Sequence, residues 1–535
     1  MQLVVGLDSG TTATKAVAAS VTGEVRAVAS VGYPLLVPAP DRAELDAFRL
    51  RDAAVAALHE VTEQVHSAGD EVVGVCLSAA MHGLVPLSAE AVPLGPLVTW
   101  ADARAAGEAH SLREDGRAIP LHRRTGTPVH PMSPLVKLAW WLARDPVFAR
   151  GVPRWGGVKE LILGRLCGPA HVVDLSCASA TGLYDIHRRR WDPEALQLAG
   201  VSTGQLAEVV PTTRVVGTVT DDVAARTGLA AGTPVVAGAS DGVLANLGVG
   251  AVPEGVAAVS LGTSAAVRAV RRDPAVDEAG RLFCYALTDE LWVLGGAVNN
   301  AGSVVRWAAQ ALAGTPGSEP PQGEEADELD ARLLAEAATA PVGSDGLLCL
   351  PYLLGERAPW WRSGLRGAYV GLRRDHTRAH LVRSALEGVC QQLALVGDAF
   401  EPAGVPLTEV RATGGAVASP LWTSTLAAAL ELPVRVAQSP EGTGLGAALL
   451  GFHALGALGD LEEAAAIVAV GEPVMPDRDA SAHYRRTRPL VQQSTEALAG
   501  VLLALEEMGP EERGPAEDRP ASPNPEQQPT RQETR

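Results

Sequence analysis

The chain has 535 residues, of which 47% are hydrophobic and 20% charged, and its formal net charge is -18. That length exceeds one ordinary hydrophobic core, so two domains are expected. The acidic balance excludes a general nucleic-acid footprint, and no apolar run is long enough to span a bilayer, Asp241 interrupting the stretch 235–252.

In chain order, residues 3–8, 13–20 and 24–31 are three short apolar-rich runs punctuated by Ser9-Gly10 and Thr22-Gly23, which predicts an antiparallel meander. Residues 48–66 carry Val55, Leu58, Val61 and Val65 at helical spacing, with Gly69 where a helix would stop. Residues 71–78 return as a buried strand. Three strands, a helix and a further strand predict a ribonuclease-H-like fold and not a Rossmann fold.

The second half restarts with a related order: a short strand at 235–238, a helix opening at 241–250, strands at 256–261, 265–270 and 291–294, and a helix around 301–312. Residues 314–328, rich in Pro, Gly and acids, read as a surface insertion. Helices are expected at 378–400, 421–430 and 444–455, with strands near Val410 and Val434. The expectation is an α/β protein of two ribonuclease-H-like lobes, 1–240 and 241–505, with a cleft between them. A disordered acidic, Pro-rich tail, 506–535, follows, too poor in apolar residues to fold.

Much of the acidity is peripheral by this division. Residues 319–330 hold six acids and no base, and the tail holds eight acids against four arginines. The remaining body is only mildly acidic and can bind an anionic ligand. The six cysteines are scattered without a CxxC pair, which reads as reduced core thiols. With no basic segment leading an apolar one at the N-terminus, a cytoplasmic location is expected.

Two turns carry the chemistry. Val4-Val5-Gly6-Leu7-Asp8-Ser9-Gly10-Thr11-Thr12 delivers an acid from an apolar strand into a turn of Ser, Gly and Thr. Backbone N–H groups and hydroxyls suit phosphate oxygens there, and the carboxylate suits hydrated Mg²⁺. A similar turn recurs at Leu261-Gly262-Thr263-Ser264, so a nucleotide gripped from both sides is the reading, against an ordinary hairpin turn. Asp241, amid Gly, Ala and Ser at a strand end, reads on residues alone as a general base or as the cap of the helix beginning at Gly242.

With these residues quoted, the chain resembles the FGGY family of carbohydrate kinases, which share the actin-like ATPase fold. Gly367-Ala368-Tyr369-Val370-Gly371-Leu372, His380-Leu381 and Ser384-Ala385-Leu386-Glu387 fit its C-terminal signature. Met132-Ser133-Pro134-Leu135-Val136-Lys137-Leu138-Ala139-Trp140 fits the N-terminal one, while Trp141 and Ala143 depart from it; on a helix, that implies altered packing and not lost chemistry. Arg124-Thr125-Gly126-Thr127-Pro128-Val129-His130-Pro131-Met132, Ser179–Asp185 and 238–246, with Gly355-Glu356-Arg357-Ala358-Pro359-Trp360, point within the family to gluconate kinases.

The resemblance implies ATP and Mg²⁺, with Asp241 as base and Asp8 reaching Mg²⁺ through water. It places Gly10, Thr11, Thr12, Lys15, Gly262, Thr263, Ser264, Gly302, Arg306, Gly414, Gly415 and Ser419 on the nucleotide; the family often has Gln and Asn at the positions of Arg306 and Ser419. It places Met81, His82, Trp100, Arg104, His130, Met132 and Lys159 with Asp241 on the sugar. Packing remains the alternative for Trp100, a surface salt bridge for Lys159 and a satisfied histidine for His130. The partner implied is a small sugar acid, with no nucleic acid and no membrane; a homodimer stays open. Xylulose, ribulose or glycerol is the alternative acceptor. A non-catalytic actin-like sensor would have lost Asp8 or Asp241, and both are present.

Overall fold

The computed structural model describes residues 1–169, 171–313, 324–439 and 441–507. Nearly all of the expected tail, and residues 314–323 of the expected insertion, lie outside the described residues.

Gln2–Ser9, Ala13–Ala19 and Val25–Gly32 form the antiparallel meander. Helix Ala47–Ser67 follows, started by Asp46, whose carboxylate accepts from the N–H groups of Phe48 and Arg49. Glu71–Ala79 then lies parallel to Gln2–Ser9. Pro234–Ser240, parallel to Glu71–Ala79, and Val215–Thr218 complete this six-stranded sheet. The strand expected to open the second half therefore closes the first sheet. Its run is apolar and buried on both faces, and such a strand carries no local sign of which sheet receives it.

The second sheet repeats the plan. Val256–Leu261, Ala265–Arg271 and Trp292–Val298 run antiparallel, and Glu409–Thr413 and Val434–Val436 add in parallel beside Val256–Leu261. Phe283–Ala286 extends the far edge, a four-residue strand too short for a period-two signal in the sequence.

Alternation along Gln2–Ser9 sorts its side chains. Leu3, Val5 and Leu7 pack with Leu50, Leu58 and Val61 of helix Ala47–Ser67 on one face. Val4, with Cys76, Val236 and Ala239, faces the other way into a core that continues through helix Gly442–Ala454 into the second lobe. A third cluster around Leu121, Val136, Leu138, Trp155 and Leu196 supports the segments inserted between Glu71–Ala79 and Val215–Thr218. Trp141 packs there with Trp140, Phe148 and Trp155.

Helix Gly442–Ala454 holds four glycines, which cost about 1 kcal/mol each in helix propensity. Close approach is what they allow. A Cβ on Gly446 would stand 2.1 Å from the Leu244 carbonyl oxygen of helix Asp241–Gly248, and one on Gly248 would stand 1.6 Å from that of Gly442. Gly6 of the first strand meets Gly444 in the same manner, at 2.0 Å. Gly446→Ala is expected to cost about 1–3 kcal/mol, read as a lower denaturation midpoint. An unchanged midpoint would show that the crossing has slack.

Candidate active site

The register of the first sheet brings two carboxylates to one edge. Asp8 lies opposite Ser78, Ser78 opposite Ala239, and Ala79 opposite Ser240. Asp8 and Asp241 therefore leave the same end of the sheet, two strands apart. A bulge at Gly238 sets the final aim: φ is +69°, and a Cβ would lie 1.7 Å from the Leu77 carbonyl oxygen.

Ser78 Oγ donates to Asp8 Oδ1 at 2.7 Å. Burial, and then the Asp241 charge, push the Asp8 carboxyl up to about 6. Asp241 is the first residue of its helix and accepts from the Gly242 N–H at 2.7 Å. Burial raises its pKa as well, opposed by that N–H and by the charge of Arg268. The N-cap of that helix is Ser240, so Asp241 stands inside the first turn and is not the cap expected as the alternative.

The first turn is braced by its own chain. Gly10 N–H donates to Ala13 O at 3.0 Å, Tyr33 Oη to Gly10 O at 2.8 Å, and Tyr33 N–H to Thr12 O at 2.9 Å. Lys15 pairs with Glu441 of the other lobe at 2.8 Å. In the second turn Gly262 N–H donates to Ser264 O, and Gly302 N–H to Gly262 O, both at 3.0 Å. Gly414 lies so close beneath Leu261 that a Cβ would come 2.2 Å from its carbonyl oxygen.

A cleft of about 1070 Å³ opens beside this turn. Gly262, Thr263, Gly302, Arg306, Gly415 and Ser419 line it, together with Trp307, Leu334 and Trp422. Arg306 is engaged there by Asp327 at 2.7 Å and Asp330 at 2.8 Å, so two acids of the segment read as peripheral turn toward the cleft.

A second cavity, about 160 Å³, adjoins Asp241 and is walled by both lobes. Met81, His82, Trp100 and Met132 come from the first; Ser264, Arg268, Phe283, Arg357 and Trp361 come from the second. His82 has the left-handed φ of +67°, an uncommon conformation that positions the ring. Burial, with the Lys137 charge nearby, lowers its pKa to about 3. The ring is therefore neutral, and its Nδ1–H donates to Ala180 O at 2.8 Å, leaving Nε2 as an acceptor. Trp100 Nε1 donates to Thr11 Oγ1 at 2.9 Å, and its ring lies 5.0 Å from the Arg357 guanidinium carbon.

Three residues expected on the sugar sit elsewhere. Arg104 is engaged by Asp102 and Glu44 and stands 5.4 Å from the Trp140 ring. Lys159, 1% exposed and thus no surface salt bridge, donates to Leu77 O at 2.8 Å and to Ala237 O, and lies 3.4 Å from Asp174. His130 Nδ1 accepts from the Met132 N–H at 3.2 Å, and its ring meets Trp361 edge-on without lining the cavity. The intervening sequence is long, and side-chain identity alone does not reveal which polar group a buried backbone claims first.

Arg268, Arg357 and Lys137 were not anticipated as site residues. Arg268 had a signal, a charge inside the otherwise apolar run 265–270, and the other two stand inside quoted motifs. Lys137, 1% exposed, donates to the carbonyls of His82 at 2.7 Å, Thr99 at 2.7 Å and Met132 at 2.8 Å. One ammonium thus ties together the three segments that carry the first lobe's wall.

Two ribonuclease-H-like lobes, with a carboxylate at the head of the helix between them and a Gly/Thr turn on each side of the cleft, define a sugar kinase of the actin-like ATPase class. Residues 3–248 match the N-terminal domain, and 257–455 the C-terminal domain, of the FGGY family of carbohydrate kinases, and the chain belongs to that family. It is 38% identical to a gluconokinase of Bacillus subtilis over 91% of this chain and 94% of that relative. Among solved structures, a gluconate kinase from Lactobacillus acidophilus superposes with a TM-score of 0.86 at 31% identity, covering 93% of this chain and 98% of the other. A ligand-bound xylulose kinase from the same organism also gives 0.86, at 32% identity over 93% and 99%.

Two outcomes follow from these contacts. A carboxyl held at about 6, against an ordinary 3.8, stabilises the fold only while protonated, so that contribution is lost as pH rises through about 6. Asp8→Asn is therefore expected to stabilise the ligand-free protein by about 1–2 kcal/mol near neutral pH, with the two thermal curves converging below about pH 4. Equal melting temperatures at neutral pH would count against the buried charge. Lys137→Met strands three buried carbonyls, and a rise of about tenfold or more in sugar KM with nucleotide affinity kept is the expected result. Matched losses for both ligands would point to general unfolding.

Proposed function

We propose that this kinase transfers the γ-phosphoryl group of ATP to the terminal hydroxyl of D-gluconate, giving 6-phosphogluconate. The observation that carries the reading is the meeting of Asp241 with a polar cavity on one side and the paired Gly/Thr turns on the other. The 38% identity to a gluconokinase supports gluconate as the acceptor. Equal TM-scores for a gluconate kinase and a xylulose kinase mean that the fold by itself does not choose.

In this reading Asp241 takes the proton of the hydroxyl as its oxygen bonds to the γ-phosphorus. The bond to the β–γ bridging oxygen breaks, and ADP leaves with the charge. Gly262, Thr263 and Ser264 face the triphosphate from one lobe. Gly10, Thr11, Thr12 and Lys15 face it from the other, Lys15 exchanging Glu441 for phosphate. The exchange is inexpensive, because the pair is 40% and 19% exposed and such pairs contribute about 0–1 kcal/mol.

Asp8 fits hydrated Mg²⁺: Ser78 occupies one carboxylate oxygen, no ion pair reaches the group among the described residues, and the more distant charges of Lys15 and Lys159 compensate its buried charge only in part. Bound there, Mg²⁺ supplies charge neutralisation on the β- and γ-phosphates. Trp307, 43% exposed, gives the large cleft apolar surface suited to the adenine. His82 Nε2 accepts from a sugar hydroxyl, and Trp100 walls the carbon chain.

ATP consumption should be measured with gluconate, xylulose, ribulose and glycerol. Saturable turnover of gluconate above the others is expected; turnover of xylulose with none of gluconate overturns the substrate. Asp241→Asn is expected to lower kcat by about 10²–10⁴-fold while ATP binding persists. Near-normal turnover in that variant removes the base.

A further inference from the structure

Two half-buried arginines share the small cavity with Asp241, and the phosphoryl transfer just described uses neither. Arg268 leaves the strand Ala265–Arg271 between the buried Val267 and Ala269. Its stem passes over Gly295, where a Cβ would come 2.9 Å from Arg268 Cγ. Its head rests on Gly242, where a Cβ would come 3.3 Å from both Nε and Nη2. Bare backbone at both neighbours leaves room for this guanidinium in its present position.

Having reached it, Arg268 finds little to bond. Nη1 makes a long contact to Ser260 Oγ at 3.4 Å, and buried Nε has no partner among the described residues. Arg357 is more committed: Nη2 donates to Val298 O at 3.1 Å and the group stacks on Trp100, although its Nε is also without a partner. No ion pair within 4.0 Å joins either arginine to Asp241 among the described residues.

Asp241, Arg268 and Arg357 are the charged residues on the wall, and His82 beside them is neutral. The wall thus carries one positive charge in excess. A neutral polyol would leave that charge and its donors buried without a match, which is costly. A carboxylate offers two oxygens in the plane that a guanidinium fork fits, together with the missing negative charge.

We propose that Arg268, backed by Arg357, binds the acidic group of the substrate and makes this cavity select an aldonic acid over the matching neutral polyol. The inference rests on the gluconate reading above. A role toward the transferred phosphate would differ in one respect: every acceptor would depend on the arginine equally.

The test compares kcat/KM for D-gluconate and for D-glucitol, which carries CH₂OH in place of the carboxylate, in wild type, Arg268→Gln and Arg268→Lys. Arg268→Gln is expected to lower the gluconate value by about 100-fold and the glucitol value by a smaller factor, the share that comes from losing a positive charge near Asp241, so that the gluconate-to-glucitol ratio falls by about tenfold or more, with Arg268→Lys intermediate. Equal losses on both acceptors, or an unchanged gluconate value, overturn the proposal. Should glucitol turn over too slowly to measure, calorimetry decides. Loss of gluconate binding in Arg268→Gln with ADP affinity retained supports the role and shows the variant is folded, whereas retained gluconate binding overturns it. Failure of the gluconate reading is seen separately, as wild type that turns over a neutral sugar and not gluconate.

Discussion

Backbone-on-backbone contact between helix Asp241–Gly248 and helix Gly442–Ala454 is the constraint on which the site depends. Where a Cβ would lie 1.6 or 2.1 Å from a carbonyl oxygen, no side chain separates the helices and neither can slide past the other. That contact locates Asp241 at the head of the first helix. The second helix also lies on strand Gln2–Ser9 through Gly444 and Gly6, two residues before Asp8. Its N-terminal neighbour Glu441 meets Lys15. One helix from the second lobe therefore sets both acids and the cation of the first, and Val4 and Leu445 share one continuous core.

Holding Asp8 and Asp241 together in a buried setting opposes folding, since burial and mutual repulsion both disfavour their charged forms. The surroundings offset this only in part. Ser78 and the Gly242 N–H each satisfy one oxygen, and Arg268 adds a charge beyond ion-pair distance. Burial lowers the pKa of Arg268 to about 10, the same imbalance seen from the cation's side.

The plan of both lobes is legible in the sequence, because the meander, the amphipathic helix 48–66 and the two Gly/Thr turns all carry local signals of period or turn chemistry. Asp8 and Asp241 leave one end of the first sheet, and His82 and Trp100 line the small cavity with Asp241. The assignment of Pro234–Ser240 to a sheet is not legible, since uniform apolarity hides the partner. Nor is the fate of long polar side chains. Arg104 and Lys159 look like Arg268 in sequence, yet two acids hold the first and two carbonyls with Asp174 hold the second. Which buried cation remains unclaimed is decided by neighbours brought from far along the chain, such as Gly242 and Gly295 around Arg268.

The two cavities meet at a single turn. Gly262 and Thr263 line the large cleft, while Ser264 and Ala265, the next two residues, line the small one. A phosphoryl group and a hydroxyl brought together at these four residues have little freedom left to lose on reaction, which is the entropic part of catalysis. Trp100 closes the same junction from the other lobe. Its indole N–H is held by Thr11 of the first turn and its face by Arg357 of the second lobe. The wall of the sugar cavity and the turn that faces phosphate are thus one mechanical unit. A displacement of Trp100 that widened the cavity would also pull Thr11 away from the place where the triphosphate is expected.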